Sequence, residues 1–146
     1  MSRAASLLTR VTRLTRLRNA CGCDSGAGLG PRGEKRAARH LRTAGYRIIA
    51  RNLRTRHGEL DLVARSPDRR LLVVVEVKAG RAGAAIPPEV HVTPAKQRKI
   101  TSLAAELVRR KGIAVQAVRF DVIAVEFGRD AEPIVRHHEG AFESHV

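Results

Sequence analysis

The stretch "GELDLVARSPDRRLLVVVEVKAGR", Gly58 to Arg81, reads as two apolar strands joined by a polar turn, yet it carries Glu59, Asp61, Glu76 and Lys78 among its leucines and valines. The turn sets the register. If Pro67 to Arg70 form a four-residue loop, Ser66 lies opposite Leu71 and, counting outward, Asp61 lies opposite Glu76. Directly opposed side chains stand about 5 Å apart, and like charges there repel. The strand period of two puts Lys78 on the same face as Glu76, beside the carboxylate pair. One ammonium cannot balance both carboxylates and the nearby Glu59. A hard divalent cation such as Mg2+ can, because it binds through one or two carboxylates, keeps several waters and takes phosphate oxygens in its remaining positions. An exposed strand face whose charges merely solvate is the competing reading of the same pattern.

Upstream, "GEKRAARHLRTAGY" places Ala37, Ala38, Leu41 and Ala44 at helical spacing, with Arg36, Arg39 and Arg42 on the outside and Gly45 as a stop. Tyr46 to Arg54, β-branched at Ile48 and Ile49, predicts a strand running into the turn "RTRHG". Downstream, "AGRAGAAIPPEVHVTP" has the Gly and Pro content of a loop, placed where it could reach over a substrate. A second, longer helix then has Thr93 as its N-cap and Pro94 at its first position, with Ile100, Leu103, Ala104, Leu107 and Val108 as an apolar stripe ending before Gly112. "AVRFDVIAVEF" and "EPIVRHHEG" complete the set as two strands joined by "GRDAEP". The order helix, three strands, helix, two strands describes an α/β domain, a mixed sheet of about five strands flanked by helices and buried on both faces.

At 146 residues the chain fits one domain. Its 28 Lys and Arg against 14 Asp and Glu give a net charge of +14, which attracts polyanions before any site is considered. Three Phe, one Tyr and no Trp leave almost nothing for a base-stacking platform, so backbone recognition is the expected mode. Cys21 and Cys23 stand together in a Gly-rich segment without partners for a zinc site or a disulfide framework, a usage that suits a reducing cytoplasm. No apolar run is long enough to span a membrane. The N-terminal "MSRAASLLTRVTRLTRLRNA" is Arg-rich and free of acid, as an organellar transit peptide, a nucleic-acid-binding tail or an upstream-extended start would be. With Gly22 to Gly33 read as a linker, residues 1–30 are expected to be a mobile basic tail and 31–146 the folded domain.

"GELDLVA" followed by "LLVVVEVK" resembles the active-site hairpin of the PD-(D/E)xK nuclease superfamily, with Asp61 as the first acid and Glu76-Val77-Lys78 as the ExK element. "GEKRAARHLRTAGYRIIARNLRTRHGELDLVA", "VVVEVKAGR", "AKQRKI" and "RFDVI" together resemble the YraN family of small bacterial predicted endonucleases, over roughly Gly33 to Val125. The resemblance implies a restriction-endonuclease-like, Holliday-junction-resolvase-like fold. It also implies Mg2+ or Mn2+ held by Asp61, Glu76 and an additional acid, Glu34, from the first helix, with Lys78 at the attacking water or scissile phosphate. For Glu34 a favourable acid in the first helical turn is the alternative. Arg36, Arg39, Arg81, Lys96, Gln97 and Lys99 are candidates for phosphate contact, although a solvated helix face would explain Lys96 and Gln97 as well. Asp121 in "RFDVI" is either a buried paired carboxylate or a catalytic one.

The implied activity is metal-dependent hydrolysis of DNA, with RNA as a possible ligand too, selective for branched or flapped structures because no sequence reader is evident. The alternative is a non-catalytic nucleic-acid-binding accessory protein on the same fold. Resolvase-like nucleases often act as dimers, so a homodimer is expected by analogy. Removing residues 1–30 is expected to leave a domain that still melts cooperatively, since that segment has no sustained apolar face. Loss of a cooperative transition by circular dichroism would move the boundary.

Overall fold

The computed structural model describes residues 28–83 and 92–143. The basic tail with Cys21 and Cys23, and most of the loop after Gly83, lie outside the described residues. The elements are α1 (Leu29–Thr43), β1 (Arg47–Thr55), β2 (Gly58–Arg65), β3 (Leu71–Arg81), α2 (Pro94–Lys111), β4 (Ala117–Phe127) and β5 (Ile134–Phe142). They form one five-stranded sheet in the order β1-β2-β3-β4-β5, parallel between β3 and β4 and antiparallel elsewhere. A parallel pair needs a crossover, and α2 supplies it. This is the expected mixed α/β architecture, consistent with a restriction-endonuclease-like sheet. No described helix is long and apolar enough to cross a membrane.

α1 starts earlier than the composition implies. Leu29 to Gly33, read as linker, are helical, and Pro31 is tolerated there because the first-turn N–H groups have no intrahelical acceptor in any case. At the other end Ala44 is the exposed C-cap and not a core residue, and Gly45 turns the chain at φ +85. For α2 the expected signals hold: the Thr93 hydroxyl accepts from the Lys96 N–H, and Gly112 closes the helix in the left-handed region.

Each face of the sheet carries its own core. Ile100, Leu103, Ala104 and Leu107 of α2 pack with Leu60, Val63, Leu72, Val74 and Phe120. Ala37, Ala38 and Leu41 of α1 pack with Leu62, Ala64, Val73, Val75, Ile123 and Val125. β3 alternates cleanly between them, whereas β2 does not. Leu60 belongs to the α2 side and Leu62 to the α1 side, although a strict period of two would put both on one face. The slip falls at Asp61. Its neighbour across the ladder, between the pairs Arg51↔Leu62 and Leu53↔Leu60, is Asn52, which has φ +48. Asn is one of the few non-glycine residues that take such a φ readily, so β1 and β2 change phase together.

Both outer strands are irregular. The register of β1 shifts between Ile48 and Ala50, and that of the β4–β5 pair between Phe120 and Val122, where Gly140 of β5 has φ +60. Bulges of this kind blunt an edge against pairing with a second copy.

Helix α1 touches β3 where Gly33 meets Ala79. A Cβ on Gly33 would stand 2.5 Å from the Cβ of Ala79. Gly33→Ala gains about 1 kcal/mol of helix propensity but adds a buried carbon costing about 1–3 kcal/mol, so a net loss is expected. Adding Ala79→Gly should restore the urea midpoint. A stabilised single mutant would show that α1 is not pinned there.

Candidate active site

The hairpin register is the one inferred from its turn. Leu62↔Val75, Val63↔Val74, Ala64↔Val73 and Arg65↔Leu72 pair, and the Ser66 N–H donates to the Leu71 carbonyl at 3.1 Å. Continued by one residue, that register sets Asp61 against Glu76, but the backbone pairing stops at Leu62. In its place the Val77 N–H donates to Oδ2 of Asp61 at 2.8 Å. The two strands fork here, and a side-chain carboxylate takes over the acceptor role of a strand carbonyl.

Glu76 retains only 6% of its exposure. Its Oε1 accepts from Nζ of Lys78 at 3.0 Å and lies 3.5 Å from Nζ of Lys96 in the first turn of α2. A nearly buried carboxylate is thus held by two ammonium groups, as burial of a charge demands. Burial also pushes the Asp61 carboxyl up to about 6. The charges of Glu76 and Glu34 add to that rise, while the Val77 N–H and Lys96 oppose it. Glu34 from α1, Asp61 from β2, Glu76 and Lys78 from β3 and Lys96 from α2 therefore form one electrostatic cluster.

The cluster is not a preformed metal cage. Among the described residues no three His, Cys, Asp or Glu are gathered closely enough to hold an ion, so the expected trio of Asp61, Glu76 and Glu34 is not drawn together. The pair of Asp61 and Glu76 still suits a hard cation that retains several waters. The mutual repulsion that helps raise Asp61 is what a bound dication would remove.

The phosphate-contact candidates divide. Lys96 is ion-paired with Glu76, and Nε2 of Gln97 donates to the Val92 carbonyl at 2.9 Å, so neither belongs to a merely solvated helix face. Lys99 and Arg81 are exposed. Arg36 pairs with Glu132 at 3.3 Å, and Arg39 is exposed on the same helix. Since α1 and α2 cover opposite faces of the sheet, Arg36 and Arg39 do not join Lys96 and Lys99 in one patch. Glu59 is exposed and pairs with Arg54 at 3.2 Å.

Asp121 is a structural carboxylate. It is fully buried and accepts from Nε and Nη2 of Arg119 at 2.8 Å each and from the Gly140 N–H at 3.0 Å, with Nε2 of His137 at 2.9 Å. Burial alone would raise its pKa, but the hydrogen bonds from His137, Arg119 and Gly140 overcome that and hold it below the usual carboxylate range. The network continues through Arg119 to the hydroxyl of Tyr46 at 2.8 Å, from Tyr46 to Glu139 at 3.0 Å, and from His137 to His40 at 3.3 Å. Four contacts leave Asp121 no lone pair for a substrate. The sequence carries one signal for these partners, Arg119 two positions before Asp121 and hence on its face of β4; His137, Tyr46 and Gly140 are too distant in the chain to be read from it.

Fold and cluster together define a small mixed α/β protein with an acid, acid and lysine group at the fork of a hairpin. The chain belongs to the uncharacterised protein family UPF0102, whose pattern matches residues 33–125. It is 46% identical over 120 residues to a UPF0102 protein of Anaeromyxobacter dehalogenans, covering 82% of this chain and 87% of that one. It is 46% identical over 115 residues to one of Geobacter sulfurreducens, covering 79% and 88%, and 45% identical over 114 residues to one of Rhodococcus jostii, covering 78% and 95%. The span anticipated for the family, Gly33 to Val125, is the span matched, and it holds every member of the cluster.

A carboxyl pushed up to about 6 favours folding in its protonated form, so its charge opposes folding above that pH and the penalty vanishes below the unfolded value of about 4. Asp61→Asn keeps an acceptor for the Val77 N–H and removes the charge. Without divalent metal the variant should exceed wild type by about 2–3 kcal/mol at pH 8. The gap should close between about pH 6 and pH 4 in urea titrations. A variant less stable at every pH would show that the Asp61 charge is satisfied within the fold.

Proposed function

We propose that this protein is a metal-dependent endonuclease of the PD-(D/E)xK type, hydrolysing phosphodiester bonds in DNA and selecting branched or flapped structures over sequence. The observation that carries the reading is the fork itself, with Asp61 facing Glu76 and Lys78 bonded to Glu76 at 3.0 Å. Asp61 and Glu76 would hold Mg2+ or Mn2+, with Glu34 adding negative charge nearby. The ion, when bound, would supply a more acidic water and stabilise charge on the phosphate. Lys78 and Lys96, both anchored on Glu76, place two ammonium groups where they can neutralise charge developing on the phosphate. The scarcity of aromatic side chains and the net charge of +14 favour backbone contact over base readout. Such an enzyme would act in the cytoplasm, where bacterial DNA lies.

One observation favours a second reading. Because Glu76 is already balanced by Lys78 and Lys96, the same cluster could hold a phosphate without metal, as in an accessory protein that binds nucleic acid and does not cut it. Purified protein with Mg2+ or Mn2+ is expected to cleave flapped or branched DNA, and Glu76→Gln and Lys78→Ala should each lower the rate by about 100-fold or more. Binding in chelator should change only a few-fold. Tight binding with no cleavage of branched, single-stranded or duplex DNA under either metal would establish the accessory reading.

A further inference from the structure

A groove adjoins the acidic fork, between the β1–β2 turn and the first two turns of α2. Arg54, Thr55, Gly58 and Glu59 line one side, Lys96, Lys99 and Ile100 the other, and together they enclose about 360 Å3. Lys96 belongs to both places, since it lines the groove and its Nζ lies 3.5 Å from Oε1 of Glu76. Lys99, three residues on, lies across Gly58. A Cβ there would come within 2.5 Å of its Cε, so the missing side chain is what lets this lysine lie against the strand. Arg54 faces it from β1, steadied by Glu59 at 3.2 Å. Among the described residues three cations and one carboxylate therefore surround the space, with the nearly buried Ile100 as its apolar member.

We propose that this groove seats a single unpaired nucleotide next to the scissile bond, its phosphate held by Lys96 and Lys99 and its sugar or base resting against the β1–β2 turn. The inference rests on the endonuclease reading and deepens it, because it names the substrate feature recognised, an unpaired strand beside the cut. Charge selects the ligand class: among the described lining residues Arg54, Lys96 and Lys99 outnumber Glu59, and although Lys96 is shared with Glu76, Lys99 is exposed, an arrangement that suits a phosphate. Size selects the strand. A space at the low end of the roughly 300–1,000 Å3 typical of small-molecule sites takes one nucleotide. A nucleotide within a duplex would have to leave its stack to enter, a cost that a flap, gap or frayed end does not carry. Among the described residues no aromatic ring lines the groove, so phosphate contact dominates and base identity matters little.

The test uses the full chain in chelator, with labelled oligo-dT, oligo-U and a blunt DNA duplex of equal length, read by fluorescence anisotropy. Wild type is expected to hold the single strand about tenfold more tightly than the duplex at equal salt. Lys99→Glu should weaken single-strand binding about tenfold, reduce its salt slope, and alter duplex binding less than about threefold. Arg109→Glu, the same charge change near the far end of α2, should not reproduce the split. Oligo-dT and oligo-U report whether the strand is read as DNA or as RNA. An equal loss on single strand and duplex, or the same pattern from Arg109→Glu, would reduce the groove to general basic surface and overturn the proposal. Because no metal is present, the result stands whether or not the protein cleaves. Cleavage of flapped DNA that Lys99→Glu leaves untouched would sink the groove while the endonuclease reading survives.

Discussion

One hydrogen bond organises the site, that from the Val77 N–H to Oδ2 of Asp61 at 2.8 Å. A strand cannot simply leave its partner inside an apolar sheet, because each orphaned N–H carries a desolvation cost. By accepting the Val77 N–H with its side chain, Asp61 satisfies the donor that the diverging β2 backbone abandons. The fork can then open without an unpaired group at its base. The slip of β2 from one face to the other and the left-handed Asn52 opposite belong to the same event. The carboxylate that shapes the backbone is therefore also the one exposed to the charge of Glu76.

Two aspartates, Asp121 fully buried and Asp61 half-buried, show how the surroundings set the charge state of a carboxylate. Asp121 accepts from a bidentate guanidinium and a backbone N–H and pairs with an imidazole, and its pKa is held low. Asp61 accepts one backbone N–H, faces two like charges, and its pKa is raised. Both sit in apolar strands of a strongly basic protein. The difference lies in whether donors or acceptors converge on them, and perturbation of the second kind gathers at functional sites. The Asp121 network has its own task, since it ties α1 through His40, the start of β1 through Tyr46, and the bulged β5 through His137 and Gly140 onto β4.

The cations follow the same geometry. Of the basic residues singled out in the sequence, those on α2 lie beside Glu76 or the groove, whereas Arg36 reaches Glu132 on the other side of the sheet. A net charge of +14 is thus not a uniform coat. What distinguishes Lys96 and Lys99 is that a crossover helix starts at the level where β3 carries its acid and lysine, so its first two turns hang over the fork.

The order of elements, the turn of the hairpin and its register were legible in the residues because they depend on local chemistry: an apolar period of two or 3.6, a Pro67–Arg70 turn, a Thr-Pro helix start, a glycine stop. From that register alone the opposition of Asp61 and Glu76 and the company of Lys78 follow. The start of α1 at Leu29 was not legible, since Gly-Pro-Arg-Gly reads as linker until Gly33 is seen to owe its place to contact with Ala79. Nor was the recruitment of Lys96, the groove beneath Lys99, or the settled status of Asp121. These depend on side chains brought together across long stretches of chain by the crossover of α2 and the packing of α1. Such meetings are decided by which faces the sheet must bury, and only the assembled core sets that.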